Sequence, residues 1–222
     1  MKLYELAFAC YCFSEFEKGY QDAYKDFLEE TKHKFDMSNE SHRGTLLTWL
    51  NRWRCHIPGD SFREISEHLR LWFENSAEVL PQTNKQLLDL SDEEIDRASE
   101  AYGQLIGVGG TKIDFIAETI ASKILFALRK DVYPIWDKSM RDEYRKQRPF
   151  RYSDYMKFCK NELSALQKEC AQNRFTIDQL PLKLKREKES LLKLLDEYHW
   201  VTMTRGVVIP TPETFRAWLE WV

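Results

Sequence analysis

Glycine and proline are scarce in this chain, with 8 and 7 of 222 residues. An all-β sandwich or barrel needs turn residues about every 8–12 positions, so that class is excluded. Only Val207-Val208-Ile209 reads as a β-like run. No apolar stretch reaches the roughly 18 residues that span a bilayer, so no membrane partner is expected. The start, Met1 to Phe16, is apolar but broken by Lys2, Glu5 and Glu15, which reads as an amphipathic helix rather than a signal peptide. Paired metal-binding cysteines are absent as well. The five cysteines (10, 12, 55, 159 and 170) include no Cys-x-x-Cys pair, so neither a zinc knuckle nor any other metal site is expected. Their odd number and scatter fit free thiols in a reducing, cytoplasmic setting. A large excess of charge of one sign is also missing, the net charge being −3.

What is present is helical periodicity. Hydrophobic content of 43%, with 14% aromatic residues, is enough for a core and argues against disorder. Apolar residues from Leu3 through Phe27 recur at helical spacing and predict one long helix over about 3–34. Further helices are expected over 42–53 behind a Ser41 cap, over 61–74, from a Ser91–Glu94 capping box to Leu105, over 114–128, from a Ser153 cap through Cys170, over 182–199, and from Thr211 onward. The expected fold class is all-α.

Charge is unevenly distributed. Residues 71–104 carry eight acids against two bases, a net −6, and residues 138–193 carry fifteen bases against eight acids, a net +7. Five bases fall within Arg141–Arg151, interleaved with Tyr144 and Phe150. A one-sided basic face suits a phosphate backbone, and a solvated helix is the plainer alternative.

The most informative stretch is Leu105-Ile106-Gly107-Val108-Gly109-Gly110, followed by the small-residue helix around Ala121-Ser122-Lys123 and by Tyr133-Pro134-Ile135-Trp136-Asp137. A glycine-rich hairpin between helices bares backbone N–H groups that can grip a phosphate, the plainer alternative being a glycine C-cap. Over residues of about 42–142 this pattern resembles the helix-hairpin-helix DNA glycosylase superfamily. The resemblance implies a two-lobed helical protein with a catalytic lobe over 42–142. An N-terminal helix, 1–41, would pack with a basic C-terminal lobe, 143–222. It implies a monomer that acts on double-stranded DNA without a cofactor. A flipped modified or damaged base would be excised, and hypermodified phage DNA comes within that substrate class. The four-cysteine iron–sulfur cluster of some relatives is absent, since no cysteine follows Cys170.

In that resemblance Asp137 takes the place of the catalytic carboxylate, and an N-cap for the next helix is the simpler role of an aspartate there. Lys112 stands where bifunctional members carry a Schiff-base lysine, but it lies 25 residues before Asp137, a longer interval than the family's usual one. It reads equally as a phosphate contact or a solvated lysine, and Lys123 and Lys138 are further candidate amines. Gly107, Gly109, Gly110, Lys112, Lys138, Arg141 and Arg145 are the expected DNA contacts. Asn51, Arg52, Trp53, Arg54, Tyr133 and Trp136 are the expected wedge and base-pocket residues, while core packing is preferred for Trp49 and a turn for His56. Two other readings stay open: a non-catalytic helix-hairpin-helix DNA-binding module of a repair or defence complex, and an all-α protein–protein adaptor.

Overall fold

The computed structural model describes residues 1–76, 78–106, 116–146 and 151–219. Eleven α-helices and no strand occur among them, so the chain is all-α, and Val207–Ile209 is irregular. The expected long first helix is two helices, α1 (Leu3–Phe16) and α2 (Lys18–Glu30). The break falls at Glu17, whose backbone leaves the helical region at φ −119°, ψ 36°. A continuous helix over 3–34 would be nearly 50 Å long at 1.5 Å per residue. The break lets Leu6 and Cys10 on α1 and Tyr24 and Phe27 on α2 enter the same core. Glu17 is itself buried and accepts from Arg205 Nε at 2.6 Å, which ties the break to the C-terminal region.

Next come α3 (Glu40–Arg52), α4 (Phe62–Asn75) and α5 (Asp92–Leu105). Asn39, not Ser41, caps α3, its Oδ1 accepting from Ser41 N at 2.9 Å. The capping box on α5 forms as expected, with Ser91 N donating to Glu94 Oε2 at 2.6 Å and Glu94 N to Ser91 Oγ at 3.2 Å. Helix α6 (Glu118–Leu128) is buried along most of its length, and α7 (Lys138–Arg145) follows it after a nine-residue extended and turn segment centred on Tyr133. Helix α8 (Tyr152–Gln172) starts one residue before Ser153, which is buried within it.

The helix expected over 182–199 is interrupted. Short α9 (Leu180–Lys183) ends before Lys185, which has φ +58°, and α10 (Leu191–His199) begins behind a Ser190 cap. Arg186, between them, pairs with Glu197, eleven residues on, which a continuous helix would hold about 16 Å further along its axis. A π turn, Trp200–Thr204, extends α10, and α11 (Pro212–Leu219) ends the described chain. Helix α1 packs on α10, α3 on α6, α5 on α8, and α7 against the π turn. One hydrophobic cluster runs from Leu6 to Leu195 through all of these helices except α7's outer face, α9's exposed residues and α11.

A candidate aromatic and carboxylate site

Asp137 stands at the N-cap position of α7 but does not cap it, since its side chain accepts nothing from the first-turn amides. The carboxylate turns inward instead. Its Oδ1 is fully buried and lies 3.3 Å from Nζ of Lys123, a residue only 5% exposed on α6. Burial opposes the charge on Lys123, but Asp137, Cys55 and Asp196 outweigh it and raise the ammonium's pKa above its ordinary value. The same ammonium lies 5.3 Å from the Trp53 ring centroid and 4.0 Å from Cys55 Sγ. Burial pushes the Cys55 thiol up, so it remains protonated beside the ion pair.

This ion pair lines a cavity of about 320 Å³. Phe13, Tyr20, Trp53 and Trp200 supply aromatic walls, Arg54 and Lys138 stand at exposed positions on its lining, and Asp196 contributes a second carboxylate from α10. Tyr20 packs edge-on against both Trp53 and Trp200, with centroids 6.1 and 5.7 Å away. Trp53 is fixed by its indole N–H, which donates to Tyr20 O at 3.0 Å. Trp200 owes its position to the π turn, a device that re-aims side chains where a regular helix would carry them past.

Asp196 is 6% exposed, and burial lifts its carboxyl to about 6 against the partial relief given by Lys193. Lys193, fully buried, lies 3.5 Å from Asp196 and 2.9 Å from Glu197, with its ammonium 4.3 Å from the Phe13 centroid. This ammonium also lies 5.5 Å from the Trp53 ring centroid. Trp53 therefore sits near two buried cations. Larger hollows of about 410, 370 and 510 Å³ open elsewhere; the first and last share Glu187 and Glu189, the second is walled by Tyr24, Phe27 and Phe35, and none of them is lined by the Asp137–Lys123 pair.

Cys159, Glu162 and His199 are the one group with metal-ligand proximity among the described residues, their donor atoms within 4.8 Å of one another. His199 is already engaged on both sides, Nε2 with Glu162 at 2.8 Å and Nδ1 with the Tyr155 hydroxyl at 3.0 Å. The group acts as a hydrogen-bonded strut between α8 and α10.

The structure divides the sequence-predicted residues. Asp137, Trp53, Arg54 and Lys138 come together at the cavity. Tyr133 and Trp136 do not: both are buried in the core, Tyr133 donating its hydroxyl to Ala98 O at 3.2 Å and Trp136 stacked on Tyr155 at 5.4 Å. The extended backbone at Asp137 sends the adjacent Trp136 side chain to the opposite side. Asn51 is a loop brace, its side chain exchanging hydrogen bonds with Ile57 O and Ile57 N at 2.7 and 2.6 Å. Arg52 faces away and pairs with Asp26 at 2.6 Å. His56 is an exposed turn residue with φ +54°, and Trp49 is core.

Arg141 is not a surface base. It is 7% exposed and clamps α7 to α6 through Glu118 at 3.1 Å, Thr119 at 2.9 Å and the Trp136 carbonyl. Arg145 and Lys138 are exposed and rest against Glu118 and Asp142. Gly107, Gly109, Gly110 and Lys112 lie outside the described residues, as does Arg148. Phe13, Tyr20, Asp196 and Trp200 were missed from sequence. Their only signal was a pair of acids, Asp196-Glu197, inside an otherwise apolar helical stretch. No known family model, curated protein or solved structure matches this chain.

Proposed function

We propose that this protein is a DNA glycosylase that extrudes a modified or damaged base and cleaves its N-glycosidic bond, with Asp137 as the catalytic carboxylate. The observation that carries the reading is the conformation of Asp137. A structural aspartate at a helix start would cap it. Here the side chain forgoes the cap and is held by a buried lysine at the wall of an aromatic cavity.

Breaking the C1′–N bond sends its electron pair to the departing base and leaves positive charge on the sugar. A fixed carboxylate in a dry site stabilises that charge, and a water then adds at C1′, its released proton balancing the charge of the departed base. Lys123 keeps Asp137 aimed. Because the surrounding acids hold it protonated, its amine is not a free nucleophile, which favours a monofunctional enzyme. The target base must leave the duplex to reach any such pocket, and aromatic walls are what an unstacked base finds favourable. On this reading α1, α10 and the π turn contribute Phe13, Asp196 and Trp200 to the base pocket, and Arg54 and Lys138 meet phosphate at the rim.

The test is incubation with duplexes carrying different modified bases, followed by detection of abasic sites. Base release is expected from wild type and not from Asp137→Asn, and borohydride is expected to trap no covalent protein–DNA adduct. Release at the wild-type rate by Asp137→Asn would overturn the assignment. Salt-dependent DNA binding with no release from any duplex would leave a binding module.

A further inference from the structure

We propose that Asp196 reads the edge of the base in the cavity and selects a guanine-type edge, one that presents two adjacent N–H donors. The inference rests on the glycosylase reading for how a base arrives, but not for how the base is held.

The four aromatic walls, Phe13, Tyr20, Trp53 and Trp200, fit a flat heteroaromatic ring. A volume of about 320 Å³ lies at the small end of ligand pockets and suits one base. Flat shape alone selects no particular base, so selection falls to the polar groups. Asp137 is ion-paired with Lys123 at 3.3 Å and, on the glycosylase reading, faces the sugar. Asp196 is carried by α10. It is more than nine-tenths buried and lines the cavity, and its Oδ2 is 3.5 Å from Lys193 Nζ. Among the described residues no hydrogen bond reaches its carboxyl. Lys193 meanwhile has a closer partner in Glu197, at 2.9 Å.

A buried carboxylate with unfilled acceptor capacity is unfavourable unless something donates to it. It can only accept, and its two oxygens match two parallel N–H groups. A guanine-type base offers its ring N–H and exocyclic amino group side by side. Adenine and cytosine offer an amino group beside a ring nitrogen that itself accepts. Thymine and uracil flank a single N–H with two carbonyl oxygens, which the carboxylate repels. Sites built around hydrogen bonds reject mismatched edges strongly, because the mismatch leaves buried polar groups unpaired.

The experiment uses free bases blocked at the glycosidic nitrogen, with binding followed by the emission of the tryptophans, two of which wall the cavity. We expect 9-methylguanine to bind at least about tenfold more tightly than 9-methyladenine or 1-methylcytosine, with 1-methylthymine weakest. Asp196→Asn replaces one acceptor with a donor and is expected to erase that preference. Near-UV circular dichroism checks that the variant is folded. Asp196→Glu, which keeps the charge and moves it by one methylene, is the second variant and should weaken 9-methylguanine binding while keeping the order. No measurable binding of 9-methylguanine, or an unchanged order in Asp196→Asn, overturns the proposal. Binding in the expected order without base release from DNA would keep it and defeat the glycosylase reading. Base release with the same preference in Asp196→Asn would do the reverse.

Discussion

Asp137, half-buried, and Asp196, buried, both stand beside lysines, and the proposed function gives them different parts. Asp137 meets Lys123 at 3.3 Å and is the proposed catalytic carboxylate. Asp137→Asn keeps the shape and removes that charge. Excision is expected to fall by about 10³-fold or more, in the chemical step and not in DNA affinity, as single-turnover kinetics on the identified substrate would show. Because the side chain does not cap α7, no cap is lost. The variant instead leaves Lys123 buried without its counter-charge, and a stability loss of about 1–3 kcal/mol is expected in urea unfolding.

Asp196 behaves in the opposite sense. Its carboxyl titrates near 6 in the folded protein against an ordinary 3.8. Between those values the folded state binds more protons than the unfolded one, so stability falls as pH rises through about 4 to 6. That net shift of about two units, in which Lys193 and Lys123 already offset part of the burial and Asp137 and Glu197 add to it, corresponds to about 3 kcal/mol at neutral pH. Asp196→Asn is therefore expected to stabilise the protein at pH 7 by about 1–3 kcal/mol and to flatten that part of the pH profile. Equal stability curves for both proteins from pH 4 to 7 would contradict this.

At the scale of elements, α7 separates two kinds of arginine that look alike in sequence. Arg141, on the inward face, holds α7 on α6 through Glu118, Thr119 and the Trp136 carbonyl. Arg145, one turn on, is exposed and lies 5.4 Å from the Trp136 ring centroid while pairing with Glu118 at 2.6 Å. Arg141→Ala is expected to lower stability by about 2–4 kcal/mol, because it removes the buried guanidinium's bonds to Thr119 and the Trp136 carbonyl and part of the Glu118 pairing. The double reversal Arg145→Glu, Lys146→Glu is expected to leave the melting temperature within a few degrees. It should weaken duplex binding for every sequence and make the dependence of log affinity on log salt shallower by about one to two units. An unchanged salt slope would show those cations to be merely solvated.

At the scale of the whole molecule, the segment 42–142 is sealed on both sides by aromatic residues from outside it. Trp49 stacks on Phe27 at 4.9 Å, and Tyr102 stacks on Tyr152 at 4.2 Å. The cavity is shared in the same way, with Phe13 and Tyr20 from the first two helices, Trp53, Lys123 and Asp137 from the middle, and Asp196 and Trp200 from the end. Residues 42–142 expressed alone are expected to lack a near-UV circular dichroism signal and to be digested rapidly by protease, since both apolar faces would be bare. A fragment with native-like near-UV signal would show that the middle segment holds its own core.

The sequence by itself determined the helical class, because a 3.6-residue apolar period with few glycines and prolines admits little else. It also determined the α5 capping box, which is satisfied by residues three apart, and it singled out Asp137 and Trp53. It could not locate the breaks at Glu17 and Lys185. Each follows from a partner far along the chain, Arg205 for Glu17 and Glu197 for the segment holding Arg186. Nor could it tell Arg141 from Arg145, or the cavity-facing Trp53 from the core-facing Trp136, because burial is settled by which helix lies opposite. The role of Asp196 is the clearest case. In sequence it is one of a pair of acids in an otherwise apolar helical stretch, and it became part of a site only when α10 packed on α1 and brought it to the cavity that Asp137 also lines. Local spacing fixes which groups a helix carries. Long-range packing fixes which of them lose water, and that loss gives a carboxylate its chemistry.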